Sequence, residues 1–423
     1  MENTSKTAGK LKAQIKMFSN KIGRGLSKPK QKFLFGMMYG IQACKDIKLS
    51  NISRSLEEKI RLIKTENRLS RQMSQKDLTQ EINKKIIEEG ALRISNDTVL
   101  AVDLGDISKE HSKSLEFLER VRDGSTGKIK KGYWTCEIVG ADIDGEELIP
   151  LYSELYSAGA KGFKSENEQI EHAVEAVSSV LNGRGIYCID RGGDRKKIIK
   201  PFLENKNRFV IRMVGTRDLW IGDKKRRALR IANNCHCWRT RELVIRKEGK
   251  LDRRKISIGS KKVKLTFWDE PLWMVVIKGF GDKPMMLLTN TKPIRSKYDM
   301  EWILDTYLTR WKCEESYRFI KQSYNLEDVR VRSYIAIRNT VALIHAIFYF
   351  VSIELGKKIK LNILLRKLYE KAKRFFEIPD FKQYAIADGI YKVLFNYKSK
   401  NFANSDKNKC SNQLSFDFAV TYE

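Results

Sequence analysis

Between residues 98 and 214, short apolar runs and amphipathic segments follow one another in an order that few architectures accommodate. "TVLAVDLGD" from Thr98 is an apolar run that ends on acids, and "YWTCEIVGADI" from Tyr133 and "EELIPLY" from Glu146 follow as two further extended segments. "NEQIEHAVEAVSSVLNG" then places Ile170, Val174, Val177 and Val180 on one side of a helix that an Asn-Gly pair stops. "GIYCID" is a strand ending at Asp190, a helix starts near Arg195, and a strand runs from Phe209 to Val214. The order is β-β-β-α-β-α-β, an α/β pattern, with helices resuming from about Asp299.

Two regions of different texture flank or interrupt this pattern. Residues 1–95 read as helical and basic, with Ile52, Leu56, Ile60 and Ile63 at helical spacing behind Ser50 or Asn51 as a cap. They read either as a helix-turn-helix DNA-binding domain, with Arg54, Lys59, Arg61, Lys64, Arg68 and Arg71 available to DNA, or as a solvated helix pair. From 222 to 291, "RELVIRK", "RKISIGS", "KVKLTFWD", "PLWMVVIKG" and "PMMLLTNT" are apolar or alternating runs divided by Gly, Asp and Pro. That is the pattern of an antiparallel β-rich insertion. The α/β core is thereby split into 96–221 and 292–350, and 351–423 is a helical, basic C-terminal region.

The charge points to a polyanion. Against 52 Asp and Glu stand 82 Lys and Arg, a formal net charge of +30 spread along the chain, which suits an enzyme gripping double-stranded DNA. At 42% hydrophobic residues the chain folds. The apolar stretch "VALIHAIFYFVSI" from Val341 is thirteen residues long and carries His345, which predicts a buried helix and no membrane role. The start has no apolar core of the signal-peptide kind, so a cytoplasmic, nucleoid-associated location is expected. Seven irregularly placed cysteines give no disulfide framework, and the "CHC" at Cys235–Cys237 has no second ligand pair at zinc spacing.

Three acids stand out by position. Asp103 and Asp190 end strands, where side chains project into the crevice at a sheet's carboxyl edge. Asp106 and Asp194 compete with them on position, and each is also explained as a turn residue. Glu314 lies in "YLTRWKCEESYRFIK". At about 100° per residue, Tyr307, Arg310, Glu314 and Lys321 fall within roughly 60° of one another, whereas Glu315 is turned about 100° from Glu314. Three carboxylates of this kind suit two Mg²⁺ or Mn²⁺ ions and an in-line phosphoryl displacement. Arg318 shares the stripe. Arg208 and Arg212 flank the apolar "FVI" as DNA contacts or plain surface charges, and Trp268 and Trp273 sit in the runs of the insertion as buried β-core residues.

The series Tyr307-x2-Arg310-x3-Glu314-x6-Lys321 resembles the YREK motif of the insertion-sequence DDE transposases of family four, over about residues 30–350. The resemblance implies a ribonuclease-H-like catalytic core, a mixed sheet with flanking helices, interrupted by the β-rich insertion. It implies that Asp103, Asp190 and Glu314 hold the metal ions, and that Tyr307, Arg310 and Lys321 contact phosphates of the transposon end. It further implies cleavage at terminal inverted repeats, strand transfer of the 3′ hydroxyl into target DNA, a possible hairpin intermediate, and a homodimer in a synaptic complex. The competing expectations are a ribonuclease-H-like nuclease, which the acids explain and the Tyr-Arg-Glu-Lys series does not, and an inactive derivative that only occupies the repeats.

Overall fold

The computed structural model describes residues 2–405, apart from 113, 125, 144–145, 248–249, 292–293 and 373–380. Five helices come first: α1 (Glu2–Ile22), α2 (Lys28–Cys44), α3 (Leu49–Leu56), α4 (Leu62–Gln75) and α5 (Thr79–Gly90). Then come β1 (Val99–Ser108), β2 (Glu119–Arg122), β3 (Ile129–Ala141), β4 (Leu148–Tyr156), α6 (Glu166–Leu181), β5 (Ile186–Ile189), α7 (Lys196–Glu204) and β6 (Phe209–Arg212). The insertion contributes β7 (Asp218–Ile221), β8 (Lys224–Arg227), α8 (Ala228–Asn233), β9 (Arg239–Lys247), β10 (Lys250–Leu265), β11 (Trp268–Lys278) and β12 (Met285–Thr289). The chain continues through α9 (Lys297–Ser323), α10 (Tyr334–Tyr349) with a π-helical end at Phe350–Glu354, α11 (Lys357–Ala372) and α12 (Lys382–Ser405).

β4, β3 and β1 form an antiparallel meander, and β5 and then β6 add to β1 in parallel. The spatial order β4-β3-β1-β5-β6 is the ribonuclease-H-like arrangement. Antiparallel neighbours need only turns, while the parallel pairs are reached through the crossover helices α6 and α7. The insertion does not hang off this core. β12 pairs with β6, placing Leu288 opposite Ile211, and β11, β10, β7 and β8 extend the same sheet. Two short elements that carry no sequence signal appear: β2, whose four residues are "ERVR", and α8, whose six are "ALRIAN".

The N-terminal helices share an apolar cluster with the α/β core. One apolar cluster runs from Ala8 through Met37, Ile86 and Tyr152 to Ile347 and Leu394. β4 is buried along its whole length because α5 and α10 pack against it. The segment Tyr334–Glu354 is longer than the apolar run suggests: by length and composition it could cross a membrane, yet 89% of its apolar window is buried in this core. A second cluster, with Val99, Cys188, Val210, Val275, Ile277 and Leu287 from the sheet, covers the other face and receives Met300, Ile303, Leu304 and Tyr307 of α9.

α9 starts at a capping box. The Asp299 amide donates to Ser296 Oγ at 3.3 Å, and the Ser296 amide donates to Asp299 Oδ2 at 2.9 Å. Two first-turn donors are thus satisfied and the helix start is fixed. From there 27 residues run without a break, so the phase of Glu314 is set by a cap nearly five turns away.

Candidate active site

The three acids lie on neighbouring elements: Asp190 just past the end of β5, Glu314 on α9, and Asp103 on β1. Asp103 stands in the middle of its strand rather than at its end, because β1 continues through Ser108 in its pairing with β3. Asp103 stands opposite Glu137 of β3 and so shares its face of the sheet. α9 packs on that face, and its course follows β1: Cys313 Sγ lies 3.8 Å from the carbonyl of Val139, which stands opposite Ala101 of β1, and the Tyr317 hydroxyl donates to the Asp106 carbonyl at 2.5 Å. Burial pushes the Asp103 carboxyl up to about 7; Arg310 opposes this, while the negative charges of Glu314 and Asp190 reinforce it. Asp106 is engaged elsewhere, accepting the Gly124 amide at 3.1 Å and pairing with Lys321 at 3.5 Å. Asp194 is a structural ion pair with Arg217 and accepts the Val214 amide at 2.7 Å.

The first half of the Tyr-Arg-Glu-Lys series, Tyr307 and Arg310, is turned inward while Glu314 stays exposed, a difference from the DNA-facing stripe that the sequence suggests. Tyr307 is fully buried under the sheet with its hydroxyl unpaired, and the Arg310 guanidinium lies 5.5 Å from the Tyr307 ring. Arg310, itself buried, holds Glu314 at 2.7 Å. Burial disfavours its charge, but Tyr307, Glu314 and Asp103 outweigh that and hold it protonated. The cause is the position of α9, whose first half lies against the sheet of core and insertion. Lys321 bridges Asp106 and Glu327, the latter at 3.1 Å, and Arg318 is exposed beside Glu315.

Arg208 and Arg212 part company. Arg208 donates to the carbonyls of Asn96 at 2.6 Å and Gly185 at 3.3 Å, which tie down the loops entering β1 and β5, at the edge away from the acids. Arg212 lines a cleft of about 790 Å³ together with Arg191, next to Asp190, and with Arg227, Arg230 and Lys283 above a floor of Met213 and Met286. Sequence reasoning did not find this cleft, because its cations come from four separate segments. Trp268 and Trp273 are half-buried against the two apolar clusters.

Glu137 is the other residue that sequence reasoning missed. It is buried opposite Asp103 and accepts Ser153 Oγ at 3.4 Å. Burial, then the charge of Asp103, push its carboxyl up to about 8. An acid in the interior of a strand looks like a solvent-facing residue until both faces of that strand are covered.

Among the described residues, no three His, Cys, Asp or Glu side chains converge closely enough to hold a metal ion. Glu314 is turned onto Arg310, and Asp190 accepts the amide of Gly192 at 2.7 Å. The donor set is of the kind a hard cation takes, since Asp103, Asp190 and Glu314 are all carboxylates.

The strand order and its crossover helices thus define a ribonuclease-H-like fold, with acids on or just past the neighbouring elements β1, β5 and α9. Residues 155–351 match the family model of the transposase DDE domain, a span that contains Asp190 and Glu314 but begins after Asp103, and this match supports a transposase. Among solved structures, the piggyBac transposase, in a cryo-EM synaptic complex with hairpin DNA, is similar over 98% of this chain and 84% of its own, at 10% identity and a TM-score of 0.43. No curated protein matches the chain.

Proposed function

We propose that this chain is a DDE transposase that cuts DNA at the ends of its own element and joins the freed 3′ hydroxyl to target DNA. The observation that carries the reading is the placement of Asp103 on β1 and Asp190 just past β5, its parallel neighbour, with Glu314 on the helix that packs along β1. These three would hold Mg²⁺ or Mn²⁺, two ions in all, which when bound supply Lewis-acid stabilisation of the attacking and leaving oxygens. The protein's own part is to hold the acids and the phosphate in register. Arg310 keeps Glu314 placed in the free protein, and Lys321 becomes a phosphate partner when DNA arrives. Arg212 and Arg318 meet the backbone from more open positions.

The full reading is a cut-and-paste reaction in the cytoplasm, on the nucleoid, by a homodimer that pairs two inverted repeats, with a hairpin at the element end as an intermediate step. The net charge of +30 supports a DNA partner, and the resemblance supports the rest. The test is supercoiled DNA carrying the candidate repeats, incubated with Mg²⁺ or Mn²⁺. Nicking at the repeat ends is expected, and Glu314→Ala should keep repeat binding while losing cleavage. A Glu314→Ala protein that cuts normally sinks the assignment.

A further inference from the structure

The joint between β1 and α9 has a feature that the acids themselves do not explain. At Gly105 the aromatic ring of Tyr317 takes the space that a side chain would fill, so that a Cβ there would overlap Cζ, Cε2 and Oη of Tyr317. The Tyr317 hydroxyl reaches past the glycine and donates to the Asp106 carbonyl at 2.5 Å. Lys321 Nζ lies 4.8 Å from the centroid of the same ring, on the side of Asp106. Thr135, the residue opposite Gly105 on β3, is fully buried and closes the floor.

The spacing of this joint matches that of the acids. Gly105 is two residues after Asp103, on the same face of the strand and about 7 Å further along it. Tyr317 is three residues after Glu314, on the same side of the helix and about 4.5 Å further along its axis. Because α9 follows β1 in the same direction, the ring-on-glycine contact sits one step beyond the Asp103–Glu314 pair on both elements.

We propose that Tyr317 and Gly105 form a lock that sets the position of Glu314 relative to Asp103, which makes Tyr317 a positioning residue for the reaction. The inference rests on the reading of these acids as the metal-binding pair. Ordinary packing would ask only for an apolar side chain on a small one. A ring that needs a glycine beneath it, a hydroxyl bonded to the strand's backbone and a lysine against its face together fix the helix in both slide and rotation.

The experiment uses the full-length chain and four variants: Gly105→Ala, Tyr317→Leu, Tyr317→Phe, and the double variant Gly105→Ala with Tyr317→Leu. Three quantities are read for each: Mn²⁺ affinity of the protein alone by electron paramagnetic resonance, Kd for repeat DNA, and kcat and KM for nicking. Gly105→Ala is expected to lower kcat on the order of 100-fold and to weaken Mn²⁺ binding about tenfold, with KM and the DNA Kd unchanged. Tyr317→Phe keeps the ring and should stay within about tenfold of the parent. The double variant, with room for the new methyl, should regain at least about tenfold over Gly105→Ala alone. If Gly105→Ala lowers the yield of folded protein, that recovery by the double variant still decides the matter.

A folded Gly105→Ala that nicks and binds Mn²⁺ like the parent overturns the lock, as does a double variant no better than Gly105→Ala. Loss of DNA binding in step with cleavage overturns it too, because it shows general damage. A parent chain that neither nicks nor binds Mn²⁺ overturns the reading of the acids, and the lock with it.

Discussion

Arg310 Nη1 lies 2.7 Å from Glu314 Oε1, one helical turn away, with the arginine side chain 7% exposed and the glutamate 48%. The buried partner needs the exposed one more than the reverse, because an unpaired cation in that position carries the full desolvation cost. Glu314→Gln, which keeps the shape and removes the charge, should lower stability by about 1–3 kcal/mol and abolish nicking. Urea denaturation reads the first effect. No change in midpoint would show that Asp103 alone suffices to hold Arg310.

Asp194 and Asp190 lie four residues apart and should behave oppositely. The Asp194 side chain is fully buried with Arg217, so Asp194→Ala should cost about 3–5 kcal/mol. Asp190 is exposed and accepts one amide hydrogen bond, so Asp190→Ala should cost about 1 kcal/mol while removing nicking. Thermal melts beside a cleavage assay separate the two. Equal melting shifts would place Asp190 with the structural acids.

Glu137 and His345 give the protein opposing pH slopes. The Glu137 carboxyl, pushed up to about 8 by burial and Asp103, is protonated in the fold at a pH where the unfolded chain has lost that proton. Its contribution is complete below about pH 4.5 and is lost as pH rises through about 8. His345 is buried and pushed down to about 3, so its contribution is complete above about pH 6.5 and is lost as pH falls toward 3. Glu137→Gln should therefore stabilise the protein at pH 8 by at least about 1 kcal/mol and have little effect at pH 4. Denaturation midpoints at the two pH values check the sign.

Arg212 and Arg208 differ in what they hold. Arg212→Ala should weaken DNA binding and reduce the slope of log K against log salt by about one phosphate contact. Arg208→Ala frees the carbonyls of Asn96 and Gly185 and should cost about 1–3 kcal/mol of stability with the salt slope unchanged. Binding isotherms across a salt series distinguish them, and a reduced slope for Arg208→Ala would reverse the assignment.

Much of this was legible in the chain because its signals are local. The runs ending at Asp103 and Asp190 announce strands by their apolar content, and helical phase separates Glu314 from Glu315. What stayed hidden depends on distant partners. β2 and α8 are too short for a period to show. Arg310 looks like a residue for solvent or DNA, since Asp103, which joins Tyr307 and Glu314 in holding it protonated, lies more than two hundred positions upstream. The pairing of β12 with β6 joins segments some eighty residues apart, and nothing in "MMLLT" says which strand it will choose.

That last pairing has a mechanical consequence. Because β12 bonds directly to β6, and β6 to β5, the insertion and the strand leading to Asp190 belong to one continuous hydrogen-bonded sheet. Load applied to the insertion, by bent DNA or by a neighbouring molecule, is carried through backbone hydrogen bonds pulled in shear and is delivered within two strands of an acid of the site.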